Sequence, residues 1–164
     1  MERRPATPAE AKALAHPLRL RILRLCLDEA LSNKALADRL DVDPATLLHH
    51  VRTLVSTGFL AAEPSRSGAR GAREKPYRAT GKSWTLDIGL DEAAGGSLAS
   101  LDAFRAEFLE SGEPVTSTRF AARLSQDDLD ELAQRLVALA DEFVARDRPD
   151  GVPVGFLIAG HRRR

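Results

Sequence analysis

The sequence predicts an α+β fold that is mainly helical, and three observations carry that expectation. Ser32 to Phe59, SNKALADRLDVDPATLLHHVRTLVSTGF, reads as a short helix, a break at LDVD and a longer helix closed by Gly58. Phe59 to Ala62 and PYRAT are strand-like runs on either side of the Gly- and Arg-rich stretch PSRSGARGAREK, a β-hairpin with a long tip. Beyond Trp84 the pattern becomes helix, strand, helix, strand.

In chain order, TPAE at Thr7 to Glu10 is a capping box with Pro8 at the first helical position, opening a short helix through AKALA. Pro17 ends that helix and starts another, PLRLRILRLCLDEA. Its apolar positions are Leu18, Ile22, Leu25 and Cys26, with Arg19, Arg21 and Arg24 near the outer face. Ser32 caps the next helix, and Asp43 followed by Pro44 caps the one after it. Helices joined by so short a turn cross steeply, which is helix-turn-helix geometry.

At about 100° per residue, Leu47, His50, Val51 and Leu54 share one face of the second helix, with Val55 beside them. Ala45, His49, Arg52, Thr53 and Ser56 share the opposite face, Thr46 opens the helix, and Leu48 sits on the boundary. The first set belongs in the core, His50 as a hydrogen-bonded core histidine. The outward set has the shape and chemistry to enter a major groove. The hairpin tip carries Arg66, Arg70, Arg73 and Lys75 against the single acid Glu74, which suits phosphates or a minor groove.

The zero net charge of the 164-residue chain conceals a division at Trp84. Residues 1–84 hold 15 Lys and Arg against 9 Asp and Glu, and residues 85–164 hold 9 against 15. A basic first half fits a phosphate backbone, and an acidic second half points away from one. One cysteine, Cys26, excludes an internal disulfide and a thiolate-rich metal cluster; it reads as a small core residue. No apolar run approaches the ~18 residues of a membrane span, and the N-terminus lacks a signal-peptide core, so the expected location is cytoplasmic.

Residues 10–84 resemble the winged helix-turn-helix domain of ArsR-like transcriptional regulators. The resemblance rests on the opening HPLRLRIL, on LADRLDVDPATLLHHVRTLVSTGFL and on a wing ending YRATGKSW. It implies a bacterial homodimer that binds an imperfect palindrome in double-stranded DNA, usually as a repressor. It also implies that the helix from Asp43 to Thr57 reads bases and that the wing grips the backbone.

Two departures narrow what carries over. Metal sensors of that family use a Cys-x-Cys motif, or His and carboxylates on the last helix. Here one cysteine and the scattered His16, His49, His50 and His161 give no ligand spacing, so no cofactor and no metal are expected. The reading helix also holds Pro44, Ala45 and Leu48 at positions often polar in the family. Base contacts then fall to Thr46, His49 and Arg52, with DNA shape supplementing them.

In the second half, Leu98, Leu101, Phe104 and Phe108 form a stripe on a helix ending before Gly112. VTSTRFAARL reads as a strand, Ser125 caps the helix QDDLDELAQRLVALADEFVARD, and VPVGFLIAG reads as a second strand. That helix places Leu129, Leu132, Leu136, Leu139 and Phe143 at spacings of three and four, a coiled-coil seam or a face packed on its own strands. Strand, helix and strand make a β-α-β unit with a thin core, which assigns dimerisation to Leu98, Leu101, Phe104, Phe108, Leu132, Leu136, Leu139 and Phe143.

The expected organisation is thus a winged helix-turn-helix at 1–84, a linker at 85–96, and a C-terminal α/β extension at 97–164 for dimerisation or an effector. Catalysis is not expected, because no phosphate loop follows a strand and no nucleophile has a base nearby. The expected function is sequence-specific regulation of transcription. The alternatives are a winged-helix module that binds protein, and a regulator with a small-molecule pocket lined by Phe104, Phe108, Phe120 and Phe143.

Overall fold

The computed structural model describes residues 3–67, 73–87, 96–111, 116–148 and 150–162, without the side chains of residues 96 and 97. The chain forms two compact units, residues 2–107 and residues 108–164.

The first unit is built from helices that begin where side chains satisfy their first N–H groups. In α1 (Pro8–Leu14) the Thr7 hydroxyl accepts from the Glu10 amide at 3.3 Å, and the Glu10 carboxylate accepts from the Thr7 amide at 2.8 Å. His16 caps α2 (Pro17–Asp28), its Nδ1 accepting from the Leu18 amide at 3.2 Å. Ser32 Oγ accepts from the Ala35 amide to start α3 (Asn33–Leu40). Asp43 Oδ1 accepts from the amides of Ala45 and Thr46, both at 3.0 Å, to start α4 (Pro44–Ser56).

Between α3 and α4 the chain reverses at Asp41, a left-handed residue with φ 51°. The end of α4 is a Schellman motif: Phe59 N donates to Leu54 O at 2.8 Å, Gly58 N donates to Val55 O at 3.0 Å, and Gly58 has φ 75°. Phe59 thereby turns into the core at 1% exposure.

One core joins these helices, with Leu14, Ile22, Cys26, Leu36, Leu47, Val51, Leu54 and Phe59 buried together. On α2 the buried set is Ile22, Leu23 and Cys26, with Leu18 and Leu25 half-buried against it. The sequence stripe had omitted Leu23. Arg19, expected near the outer face, reaches back from α2 to cap α1, donating to the carbonyls of Ala13 and Lys12.

The wing follows α4. Strand β3 (Leu60–Ala62) pairs antiparallel with β6 (Pro76–Ala79), and β6 also pairs with β2 (Leu31–Ser32), giving the order β2-β6-β3. Nearer the tip, β4 (Arg66–Ser67) pairs with β5 (Arg73–Glu74). A 3-10 turn at Lys82–Thr85 leads into β7 (Leu86–Asp87), which pairs in parallel with β1 (Arg4–Pro5). Of the linker expected at 85–96, residues 88–95 lie outside the described residues, whereas Leu86 is 3% exposed and part of the core. Two-residue strands are too short to show a period of two, so β1, β2 and β7 left no pattern. Residues 96–107 of α5 (Gly96–Ser111) also belong to this unit. Ala99 and Ala103 are buried, and Glu107 lies 3.6 Å from Arg24.

In the second unit, Ser125 caps α6 (Gln126–Val144) through a capping box with Asp128. The strands expected at VTSTRFAARL and VPVGFLIAG are not formed: residues 116–124 and 152–160 enter no ladder among the described residues, and Val115 lies outside them. A β-rich composition supplies side chains for a sheet, but a strand exists only where another strand satisfies its amides.

Candidate nucleic-acid interface

The candidate surface is the outer face of α4, together with the wing. Helix α4 is fixed from below by Leu47, Val51 and Leu54, each at 0% exposure, and by His50. That leaves Ala45, Thr46, His49 and Arg52 exposed, with Leu48 and Thr53 half-buried at the margins. The helical spacing places these positions well, except that Thr53, set on the outward face, is half-buried, and Val55, set beside the core face, is 37% exposed. Thr53 directs its hydroxyl to the carbonyl of His49 at 3.1 Å, satisfying itself within the helix.

The helix-turn-helix pair is held by a contact that sequence reasoning missed. Asn33, the first residue of α3, donates from Nδ2 to the Pro44 carbonyl at 2.9 Å. It ties the start of one helix to the start of the other, and Asn at a helix start gives no hint of an acceptor eleven residues away. Lys34 was also missed. It is exposed, pairs with Asp38 at 2.9 Å, and its ammonium is held above its ordinary pKa first by Asp38 and further by Glu74 of the wing.

On the wing, Arg73 and Lys75 are exposed. Arg66 is exposed too, yet its guanidinium donates to the Ala30 carbonyl at 3.3 Å, which anchors β4 to the body. Arg70, the fourth basic residue assigned to the tip, lies outside the described residues. Arg78 pairs with Glu63 across the wing at 2.7 Å and links the wing to α2 through the Asp28 carbonyl at 3.3 Å.

His50 departs from its expectation in one respect. It is buried, but its Nδ1 has no hydrogen-bond partner among the described residues. Its ring rests instead against His16, with centroids 4.5 Å apart, and against the edge of His49 at 5.7 Å. Burial is the main cause that pulls the His50 pKa down to about 4, and the neighbouring His16, Arg19 and His49 add to it. Burial lowers His16 too. The Cys26 thiol is pushed up to about 11 by burial, so it stays an unreactive core group.

Glu10 closes the foot of the wing. Its carboxylate accepts from both terminal nitrogens of Arg4 at 2.9 and 2.7 Å, from the Thr7 amide, and from Lys82 at 2.7 Å. The Arg4 hydrogen bonds above all, then Lys82, hold the carboxyl well below the usual range. The capping box was legible in TPAE, whereas the convergence of Arg4 and Lys82 on it was not.

Among the described residues there is no group of three or more His, Cys, Asp or Glu placed to hold a metal, and no helix long and apolar enough to cross a membrane. The residues assigned to dimerisation occupy two places. On α5, Leu98, Leu101 and Phe108 are 68%, 43% and 41% exposed and Phe104 is half-buried. On α6, Leu132 and Leu136 are half-buried while Leu139 and Phe143 are exposed. Phe120 and Phe143, assigned to an alternative pocket, both stand exposed.

A mainly helical α+β chain whose helix-turn-helix runs into a β-hairpin is a winged helix-turn-helix fold. Residues 14–62 match the family described as a helix-turn-helix domain. No curated protein sequence matches the chain. Among solved structures, reduced HlyU from Vibrio cholerae N16961 is 26% identical over 55% of this chain and 77% of its own, with a TM-score of 0.34. ZitR from Lactococcus lactis in complex with DNA is 15% identical over 77% of this chain and 74% of its own, TM-score 0.34. The transcriptional regulator SlyA is 17% identical over 79% and 75%, also at 0.34.

Proposed function

We propose that this chain is a sequence-specific double-stranded-DNA-binding regulator of transcription, of ArsR-like type, acting as a homodimeric repressor without metal sensing through cysteine and without catalysis. The observation that carries this reading is the outer face of α4, where Thr46, His49 and Arg52 stand exposed while the opposite face is locked in the core. A helix so presented delivers its N-terminal half to base edges in a major groove. The basic wing supplies phosphate contacts that position it.

Base reading is thin by this account, with one guanidinium, one imidazole and one hydroxyl per copy. Two copies on a two-fold site and the wing then supply much of the affinity. The test is footprinting on the DNA upstream of the chain's own gene, with salt varied. A two-fold symmetric protected site, with half-sites about one helical turn apart and salt-sensitive binding, supports the reading. Binding that is independent of sequence and of salt overturns it, and favours a winged helix that docks on protein.

A further inference from the structure

The wing ends in Thr80, Gly81 and Lys82, and these three residues close over the exit of α4. The last carbonyls of a helix have no partner within it. Here the carbonyls of Thr57, Gly58 and Phe59, where α4 gives way to the wing, are all taken by this one segment. Lys82 Nζ donates to the carbonyl of Thr57, the C-cap of α4, at 2.6 Å. Thr80 Oγ1 donates to the Gly58 carbonyl at 2.8 Å, and the Thr80 amide donates to the Phe59 carbonyl at 3.0 Å. Gly81 lets the chain fold back in this way with φ 73°, in the left-handed region that glycine enters without strain.

Lys82 is held from a second side as well. Its ammonium pairs with Glu10 at 2.7 Å and lies 5.1 Å from the centre of the buried Phe59 ring. Glu10 is 6% exposed and also binds Arg4, so moving Lys82 away would strip a buried carboxylate of one of its two cations. The other end of α4 is tied in the same manner, by Asn33 donating to the Pro44 carbonyl at 2.9 Å. The helix is thereby pinned at both ends by side chains that lie outside it. None of these contacts uses Thr46, His49 or Arg52, which are left to their outward face.

We infer that Lys82 is a positioning residue for base recognition: held between the Thr57 carbonyl and Glu10, its ammonium fixes the tilt and rotation at which α4 presents Thr46, His49 and Arg52. This inference rests on the DNA-binding part of the proposed function and names what makes its base contacts selective. Base contacts are directional, and a site of that kind needs its groups within about 0.5 Å and ~10–20° of the productive geometry. A phosphate contact from a long basic side chain tolerates more misplacement and carries no sequence information. Loosening the clamp therefore removes discrimination between sequences and leaves the general affinity for DNA in place.

The test follows the full chain by fluorescence anisotropy on two duplexes, the footprinted operator and the same duplex with its half-sites scrambled. Salt is varied, and the temperature is one at which circular dichroism shows every variant folded. Lys82→Met keeps an apolar stem over Phe59 and removes the ammonium. It is expected to lower the ratio of operator to scrambled affinity by about 10-fold, with the scrambled affinity and the salt slope unchanged. Lys82→Arg keeps the charge and is expected to restore most of the ratio. Thr80→Val loses one hydroxyl of the clamp, leaves the pair with Glu10, and is expected to lower the ratio in the same direction. Ile22→Val weakens the core on α2, no part of the clamp, and is expected to leave the ratio unchanged, which separates positioning from stability. Equal losses on both duplexes with a salt slope lower by about 0.9 overturn the inference, by making Lys82 a phosphate ligand. A wild-type ratio in both Lys82→Met and Thr80→Val also overturns it, as does an equal fall in Ile22→Val. A wild type that binds the two duplexes equally sinks the DNA reading, and this inference with it.

Discussion

The imidazole of His50, on the buried face of α4, lies 4.5 Å from that of His16 at the N-terminus of α2, with the ring planes 52° apart. Burial above all lowers the pKa of both rings, and the charge of Arg19 adds to it at each, with His16 and His49 adding to it at His50. The seat of the candidate reading helix is therefore sensitive to acid.

His50 in the folded chain has a pKa of about 4, below the 6.5 of an unfolded histidine. Between those values the unfolded state binds more protons, so stability is full above pH 6.5 and declines as pH falls towards 4. The thermal midpoint, followed by circular dichroism, is expected to fall through that window. His50→Phe, which does not titrate, is expected to reduce the slope, with His16 accounting for what remains.

Replacing Arg52 or His49 by alanine is expected to weaken operator binding by about 10-fold or more, since a good base contact is worth ~1–3 kcal/mol. Both side chains are exposed and outside the core, so the thermal midpoint stays within the small range of surface substitutions. Undiminished affinity in a gel-shift titration would remove α4 from the groove.

Arg73→Ala together with Lys75→Ala is expected to weaken binding to all sequences alike and to lower the salt slope by about 2, close to 0.9 for each phosphate left without its cation. Arg66→Ala acts differently, because its guanidinium is tied to the Ala30 carbonyl. It is expected to speed amide exchange in β4 as well as to weaken binding.

Glu10→Gln removes the charge on which Arg4 and Lys82 converge and leaves two cations facing each other. Its thermal midpoint is expected to drop well below that of Asp38→Asn, which breaks only the exposed pair with Lys34. Because the Glu10 carboxyl titrates below its ordinary range, its contribution is present at neutral pH and is lost in acid.

Gly58→Ala places a Cβ on a residue with φ 75° and is expected to cost about 1–2 kcal/mol in urea denaturation. Cβ would also come within 3.4 Å of the Lys82 ammonium. A change below a few tenths of a kcal/mol would mean that the Schellman motif relaxes without disturbing Phe59.

Much of the first unit was legible because its signals are local. Caps at Thr7, Ser32 and Asp43, the terminating Gly58 and the period of α4 act within one helical turn, so the chain states them residue by residue. The same local rules put Leu47, His50, Val51 and Leu54 inside and His49 and Arg52 outside. Sequence alone thus determined the helix-turn-helix, the hairpin after it, and which side of α4 faces out.

Only the tertiary structure decided what distant residues do to one another. It brought Arg4 and Lys82 to Glu10, Asn33 to Pro44, Arg66 to Ala30 and His16 to His50, and it moved Leu86 from an expected linker into the core. It also left residues 116–124 and 152–160 outside any ladder despite their strand-like composition. The physical reason is common to all of them: a cap or a helical period is satisfied by near neighbours, whereas an ion pair, a ring contact or a ladder needs a partner that only the folded chain puts within reach.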